Sequence, residues 1–157
     1  MLDFSGPGAV VGEDLVLLGL PRDYSAVSLD RGLALCVPGS NLLRLLERQP
    51  RLGPALAALS TFRARFYRER LEQMSSCVVP ARLCLALHRL ARTFGKRDRL
   101  GTMIALRLTH QDLADHIGAS RETVTAVLCG LKREGLVAAH GRRLIVTDLK
   151  RLKRWAD

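Results

Sequence analysis

The pattern of apolar and polar positions divides the chain into three regions. Between Val10 and Val37, short apolar runs alternate with turn residues, a pattern that predicts three or four short strands. The segment PGSN then ends the predicted sheet, and Ser40 is placed to cap a short helix from Asn41 to Glu47 that Pro50 stops. The first domain is therefore predicted to occupy residues 1–50.

The second region is a long amphipathic segment over residues 51–79. Its apolar residues recur every three to five positions with arginines and glutamates between them, which predicts a helix of about 25 residues. The apolar stripe consists of Leu52, Leu56, Leu59, Phe62, Phe66, Leu71, Met74 and Val78. A small sheet covers only part of such a stripe, so we expect a second copy of the helix to cover the rest. Burial within the monomer is the alternative.

The third region, residues 80–157, begins with a helix that Pro80 starts and Gly95 stops. The segment TMIALRL, residues 102–108, predicts a strand. Thr109 and Asp112 then have the spacing of a capping box for a helix through Ile117.

A second helix is predicted from Arg121 to about Arg133, because Ser120 can accept hydrogen bonds from its first amides. Its apolar face can pack on the preceding helix through Val124, Val127, Leu128 and Leu131, which face Leu113, Ala114 and Ile117. Two strands around a turn at residues 140–142 follow. This order of elements predicts a winged helix-turn-helix.

The charge is concentrated in the third region. The chain carries a net charge of +10, and residues 1–88 hold 10 basic against 8 acidic side chains, whereas residues 89–157 hold 15 against 7. The second half is therefore expected to bind a polyanion. A solvated surface and a ribosome-facing basic protein are the alternatives.

Other classes of protein find little support in the sequence. The four cysteines are far apart and have no histidine at zinc-site spacing, so no metal or other cofactor is expected. No apolar run reaches the roughly 18 residues of a membrane span and no secretion signal opens the chain, so we expect a cytoplasmic protein without a membrane partner. No nucleophile and base stand at plausible spacing, so we expect no enzyme.

The segment LTHQDLADHIGASRETVTAVLCGLKREGLVAAHGRRLIV resembles the DNA-binding domain of the Crp/Fnr family, named after the cyclic AMP receptor protein and the fumarate-nitrate reductase regulator. Upstream, the long helix is similar to the dimerisation helix of that family, and VVGEDLVLLGLPRDYSA is similar to the phosphate-binding cassette of its β-roll sensor. The resemblance implies a mainly α fold with small β content: a partial cyclic-nucleotide-binding-like β-roll, a dimerisation helix and a winged helix-turn-helix.

Two departures from the family pattern affect the sensor. The resemblance places a candidate effector pocket at Gly12, Glu13, Tyr24 and Ser25, but Tyr24 stands where cyclic-nucleotide binders have an arginine. A neutral hydroxyl cannot replace a bidentate, charged contact to phosphate, so we do not expect dependence on cyclic AMP. The chain also begins at the equivalent of the middle of the sensor, which leaves a truncated or a degenerate sensor as alternatives.

The resemblance also implies how the third region contacts DNA. The outer face of the second helix offers candidate base-reading residues, which are Arg121, Glu122, Thr125 and Ala126. Helix starts and the wing offer candidate phosphate contacts, which are Thr109, His110, Gln111, Ser120, Thr123, His140, Gly141 and Arg142.

The function that we expect is a transcription regulator that binds a near-palindromic site on double-stranded DNA as a homodimer, with RNA polymerase as a further candidate partner. The alternative is a truncated interaction protein that heterodimerises with a full-length regulator and modulates it.

Overall fold

The computed structural model of the chain describes residues 3–141 and 143–156. The chain divides into two compact units. The N-terminal unit is Ser5–Arg70, and the C-terminal unit comprises the residues before Ser5 and those from Leu71 onward.

The regular structure of the N-terminal unit is helical. It contains α1 (Glu13–Leu18), α2 (Gly39–Arg48) and most of α3 (Leu52–Ser76). Gly12 and Gly19 bound α1 with φ angles of 89° and 66°, in the left-handed region that glycine adopts without a steric penalty. These two glycines limit α1 to less than two turns.

The strands predicted between Val10 and Val37 are wrong. Within this segment the only regular element is α1, and residues 20–38 form neither strand nor helix. A strand needs a neighbour for its backbone amides and carbonyls, and no strand lies within the described part of Ser5–Arg70 to provide one. Leu33 and Leu35 consequently project into solvent, with exposures of 106% and 90%.

The start of α2 also differs from the prediction. The helix begins at Gly39, so that Ser40 lies within its first turn and makes no capping hydrogen bond. Pro38 occupies the N-cap position, and its carbonyl accepts hydrogen bonds from the amides of Asn41 and Leu42 at 2.9 and 3.1 Å. A backbone carbonyl therefore satisfies the amides that Ser40 was expected to cap.

Helix α3 has the predicted start and length. It spans 25 residues, which corresponds to about 37 Å at the standard rise. None of its residues is buried. Every apolar side chain of α3 therefore remains at least partly in contact with solvent.

The C-terminal unit contains α4 (Val79–Phe94), β1 (Gly95–Asp98), β2 (Gly101–Ile104), α5 (His110–Ile117), α6 (Arg121–Arg133), β3 (Val137–His140), β4 (Arg143–Val146) and α7 (Leu149–Ala156). The four strands form one antiparallel sheet in the order β1-β2-β4-β3. The predicted helices α4, α5 and α6 and the two predicted strands of the wing are confirmed.

Three details of this unit were not predicted. Strand β2 ends at Ile104 rather than at residue 108, because Ile104 pairs with Gly95 and the partner strand β1 begins there. Strand β1 is polar and largely exposed, so it lacks the apolar pattern that identifies a core element. In α7, four of the eight residues are basic, and Leu149, Leu152 and Ala156 between them pack on the core. Gly95 allows the abrupt change from α4 to β1, since a Cβ atom there would lie 1.9 Å from the Ala91 carbonyl oxygen.

One hydrophobic core holds the C-terminal unit together. It lies between α4, α5, α6, α7 and the sheet, and its fully buried leucines are Leu83, Leu87, Leu113, Leu128, Leu131, Leu136 and Leu152. Each such leucine contributes about 1.5–3 kcal/mol relative to an exposed position. The fold class, mainly helical with one small sheet, is as predicted. Among the described residues, no helix combines the length and the apolar composition needed to cross a bilayer.

Candidate nucleic-acid interface

Both helices of the helix-turn-helix start at side-chain caps. The Thr109 hydroxyl accepts from the Asp112 amide at 3.1 Å, while the Asp112 carboxylate accepts from the Thr109 amide at 2.7 Å, which completes the predicted capping box of α5. Ser120 caps α6 by accepting from the Thr123 amide at 3.1 Å. These bonds fix where each helix begins and thus which residues reach the surface.

The turn between the helices depends on Gly118. It ends α5 in the left-handed conformation with a φ of 65°, and its amide bonds back to the Ala114 carbonyl. The chain then enters α6 after only Ala119 and Ser120. The turn directs the apolar face of α6 into the core, where Val124 and Leu128 are completely buried.

The opposite face of α6 is open to solvent. Arg121, Glu122 and Ala126 are exposed and Thr125 is half-buried. The pKa of Glu122 lies below its usual range, because its carboxylate accepts from its own backbone amide and from the Ser120 hydroxyl, with a further effect of Arg121. The structure therefore presents an arginine donor and an anionic acceptor side by side at the first turn of an exposed helix face.

Thr125 is not a free side chain on this face. Its hydroxyl donates to the Arg121 carbonyl at 2.8 Å and also lies 2.7 Å from Nδ1 of His110. Since the hydroxyl has one proton, Nδ1 of His110 must be the donor in the second bond. The structure thus pairs a predicted base-reading residue with a predicted phosphate contact.

Several residues predicted to contact phosphate have hydrogen-bond partners within the protein. The Thr109 and Ser120 hydroxyls form the caps described above, and the Thr109 hydroxyl also donates to Asp112. The Thr123 hydroxyl lies 2.9 Å from the Ser120 hydroxyl and shares a hydrogen bond with it. The Gln111 amide nitrogen donates to Asp115 at 2.7 Å. These residues lie at the starts of α5 and α6, where backbone amides and the helix dipole favour an anion.

The wing supplies a second basic surface. His140 and Gly141 are exposed at the tip of the β3–β4 hairpin, and Arg142 lies outside the described residues. An open groove beside this tip is lined by Asp98, Met103, Arg107, His140, Gly141 and Arg143. Sequence reasoning missed Arg107 and Arg143; the basic excess after residue 88 was the available signal, but it does not say which side chains share a face.

The residues predicted for the dimer helix fall into two groups. Leu52, Leu56, Leu59 and Phe66 are half-buried, whereas Phe62 and Leu71 have exposures of 69% and 67% and Met74 is also exposed. Apolar side chains on an α3 helix without a single buried residue form a surface that an additional helix could cover.

The predicted effector residues lie around α1. Gly12 and Glu13 are buried, and the Glu13 carboxylate is paired with Arg63 of α3. The Tyr24 hydroxyl donates to Asp14 at 3.1 Å, and burial followed by the Asp14 carboxylate raises the pKa of Tyr24. Ser25 is exposed.

Arg22 was not singled out from the sequence. Its guanidinium lies against Gly12, where an added Cβ would be 2.7 Å from Nη2. Arg22 and Tyr24 together fill the space beside the Gly12 backbone.

Comparison with known proteins identifies the fold that carries this interface. Residues 81–155 match the family model of the Crp-like helix-turn-helix domain. The CRP-like cAMP-activated global transcriptional regulator of Mycobacterium tuberculosis is 27% identical over 156 residues, which cover 99% of this chain and 70% of that protein. The cyclic AMP receptor protein of Thermus thermophilus is 35% identical over 132 residues, which cover 84% and 58%. Residues 81–155 therefore form a Crp-like helix-turn-helix domain, and the chain is homologous to transcription regulators of the Crp/Fnr family.

Solved structures agree with the Crp/Fnr assignment. A transcriptional regulator of the CRP/FNR family from Thermus thermophilus matches with a TM-score of 0.62 and 29% identity, over 69% of this chain and 55% of that one. A CooA mutant from Carboxydothermus hydrogenoformans has the same fold, with a TM-score of 0.69 at 20% identity, over 75% and 55%. The chain therefore spans 70% or less of the length of these relatives. The relatives and the fold neighbours are transcriptional regulators rather than enzymes, as the sequence led us to expect.

Proposed function

We propose that this chain binds a specific, near-palindromic DNA sequence as a homodimer and regulates transcription without cyclic AMP. One observation carries the proposal: α6 buries its apolar face in the core and leaves Arg121, Glu122 and Ala126 exposed after a Ser120 cap. An α-helix fits the major groove of B-DNA, and the N-terminal residues of a reading helix contact base edges there.

The side chains at the start of α6 have distinct roles in this proposal. The Arg121 guanidinium donates to O6 and N7 of a guanine, and the anionic Glu122 accepts from the amino group of a cytosine. The Thr125 hydroxyl is already bonded to the His110 ring and to the Arg121 carbonyl, so the methyl group of Thr125, rather than its hydroxyl, is available to contact a base. Ala126 offers only a methyl group, which fits contact with the methyl of a thymine.

Phosphate contacts surround this reading face. Exposed or half-buried polar side chains lie at the starts of α5 and α6, where free backbone amides are concentrated. These residues are Thr109, His110, Gln111, Ser120 and Thr123. The wing contributes His140, Gly141 and Arg142, and we add Arg107 and Arg143 on account of the groove they line. Loss of either added arginine should weaken all duplexes alike and reduce the salt slope by about 1.

A homodimer through α3 is the assembly that we infer. In support of it, Phe62 and Leu71 expose apolar surface on a helix of about 37 Å that has no buried residue. Pairing of two such helices would place two reading helices about 34 Å apart, which suits half-sites one turn of duplex apart. The same surface would serve a heterodimer with a longer Crp/Fnr regulator, which is the alternative function. RNA polymerase remains a candidate partner.

Independence of cyclic AMP is inferred from the surroundings of Tyr24. Its hydroxyl is bonded to the Asp14 carboxylate, and the Glu13 carboxylate is also near enough to raise its pKa. The Tyr24 hydroxyl is therefore already engaged by an anion, and Arg22 fills the space beside Gly12. We therefore do not expect cyclic AMP to bind at the candidate effector residues, which are Gly12, Glu13, Tyr24 and Ser25.

Selection of duplexes from a random pool by the purified chain tests the main proposal. We expect enrichment of two inverted half-sites about 10 base pairs apart, each with a guanine whose readout depends on Arg121. Enrichment of no sequence, or binding only after a longer family member is added, would favour the heterodimer. Addition of cyclic AMP should leave the affinity unchanged, and a large increase would disprove the independence.

A further inference from the structure

Three carbonyl groups from two separate segments of the C-terminal unit, the end of α3 and the turn of the helix-turn-helix, converge on Arg82. Its Nη1 atom lies 3.1 Å from the carbonyl oxygen of Met74 and 3.4 Å from that of Cys77, and its Nη2 atom lies 3.2 Å from that of Gly118. Arg82 itself belongs to the first turn of α4. One side chain therefore connects the end of α3, the start of α4 and the turn of the helix-turn-helix.

The chemistry of these carbonyls explains why an arginine suits the position. The carbonyls at the C-terminal end of an α-helix lack amide partners within the helix and carry the negative end of its dipole. Met74 lies in the last turn of α3, and Gly118 is the C-cap of α5. Two helix ends are thus directed at one guanidinium, whose planar fork can donate to both, whereas a lysine would place its charge at a single point.

A second, independent contact joins the same two segments. The terminal methyl group of Met74 packs on the turn, since a Cβ atom added at Gly118 would lie 3.0 Å from Met74 Cε. The last turn of α3 therefore touches the turn before the reading helix through an apolar contact as well as through the guanidinium.

We propose that Arg82 is a positioning residue that locks the last turn of α3 to the turn of the helix-turn-helix and so sets the angle at which α6 is presented. This proposal rests on the proposed function, in which α3 pairs the subunits. Because α3 continues as one helix from Leu52 to Ser76, a fixed angle at its end becomes a fixed spacing between the two reading helices of a dimer. Arg82 touches no DNA in this arrangement and determines which half-site spacing is accepted.

Hydrogen exchange tests the lock without any DNA. Arg82→Met retains the apolar stem and removes the charge and the donors, and we expect it to raise amide exchange about tenfold both at residues 74–78 and at residues 118–120. Arg82→Lys should lie between Met and wild type. Arg92→Met is the matched control, because Arg92 is an exposed residue on the same helix and its loss should change neither segment.

Affinity for duplexes with different half-site spacings tests the consequence. One added base pair rotates a half-site by roughly a tenth of a turn, so a rigid dimer should prefer one spacing sharply. Arg82→Met should flatten that preference while affinity for a single half-site changes less than about twofold, since no base or phosphate contact is lost. Arg92→Met should keep the wild-type preference.

Each outcome bears on a different claim. An Arg82→Met protein with wild-type exchange in both segments, or with faster exchange but an undiminished spacing preference, would overturn the positioning role. A wild-type chain that binds no paired half-sites would refute the proposed function instead, and the exchange result would still decide whether the lock exists.

Discussion

The His110 ring and the Thr125 hydroxyl are joined by a hydrogen bond of 2.7 Å, which ties the first residue of α5 to the second turn of α6. We expect this bond to hold α6 at its angle to α5. His110→Ala and Thr125→Val should each lower the free energy of unfolding, and a double-mutant cycle should give a coupling of about 0.5–1.5 kcal/mol. The control is a second cycle with Gln111→Ala in place of His110→Ala. Its coupling to Thr125→Val should be near zero, because Gln111 bonds to Asp115 and not to Thr125. A coupling near zero by urea unfolding would show that the bond does not stabilise the pair.

Arg121→Ala should cost about 1–3 kcal/mol in binding to the selected site and relax specificity at one base pair, because a bidentate contact to guanine is lost. Gel shifts on the selected duplex and on its single-base variants measure both effects. The control is Arg133→Ala, which removes the same charge from the exposed last turn of the same helix. Equal losses on every duplex after Arg121→Ala would mark Arg121 as a phosphate contact.

If the chain pairs through α3 as proposed, Phe62→Glu or Leu71→Glu should leave it monomeric, because a charge would then lie on apolar surface that the pairing would bury. Sedimentation at several concentrations gives the mass directly. Leu100→Glu introduces the same charge at another exposed leucine, outside α3, and should leave the mass unchanged. If the wild-type chain is monomeric at micromolar concentration, the homodimer proposal fails.

The alkylation rates of the cysteine thiols should show whether the exposed face of α6 contacts DNA. Cys84 is buried, and burial followed by the Glu134 carboxylate raises its pKa to about 12, so it should resist alkylation at pH 8. Cys36 and Cys129 are exposed and should react. Cys129 follows Thr125 by one helical turn, so the selected duplex should protect Cys129 and leave Cys36 reactive, as peptide mass spectrometry would reveal. Equal reactivity of Cys129 with and without DNA would contradict the docking of this helix face.

His88 should make the stability of the C-terminal unit pH-dependent. Partial burial, followed by the positive charges of Arg92 and Lys153, lowers its pKa from the ordinary value of 6.5. The unfolded chain then binds the proton more tightly than the folded chain, so stability is complete above about pH 6.5 and declines as the pH falls from there through the folded pKa. Lys153→Gln should raise the pKa of His88 in an NMR titration. A pKa at or above 6.5 in the wild type would refute the assignment.

The sequence was informative where local rules decide the structure. Thr109 and Ser120 indicate where α5 and α6 start, because a side-chain cap involves only residues up to three positions away in the sequence. The helical spacing of the apolar positions also predicted that Val124 and Leu128 lie in the core. The outer face of α6 follows from this packing, because the residues that are not buried must face away from it.

The sequence was less informative where the structure depends on distant partners. The apolar runs from Val10 to Val37 have the composition of strands, but strand formation requires a neighbouring strand, and the turn residues Gly12 and Gly19 favoured a short helix instead. Strand β1 is polar and forms because β2 lies beside it. The bonds of Arg82 connect residues up to 36 positions apart, and no local pattern indicates them.

The chain has a single tryptophan, Trp155, and its indole nitrogen donates to Glu134 at 2.8 Å. Glu134 is the residue directly after α6, so the one tryptophan of the protein lies at the C-terminal end of the helix that we expect to enter the groove. We therefore expect its emission to follow the docking of α6 in real time, with no label attached, and Glu134→Ala, which removes the acceptor, tests whether the signal originates at that bond.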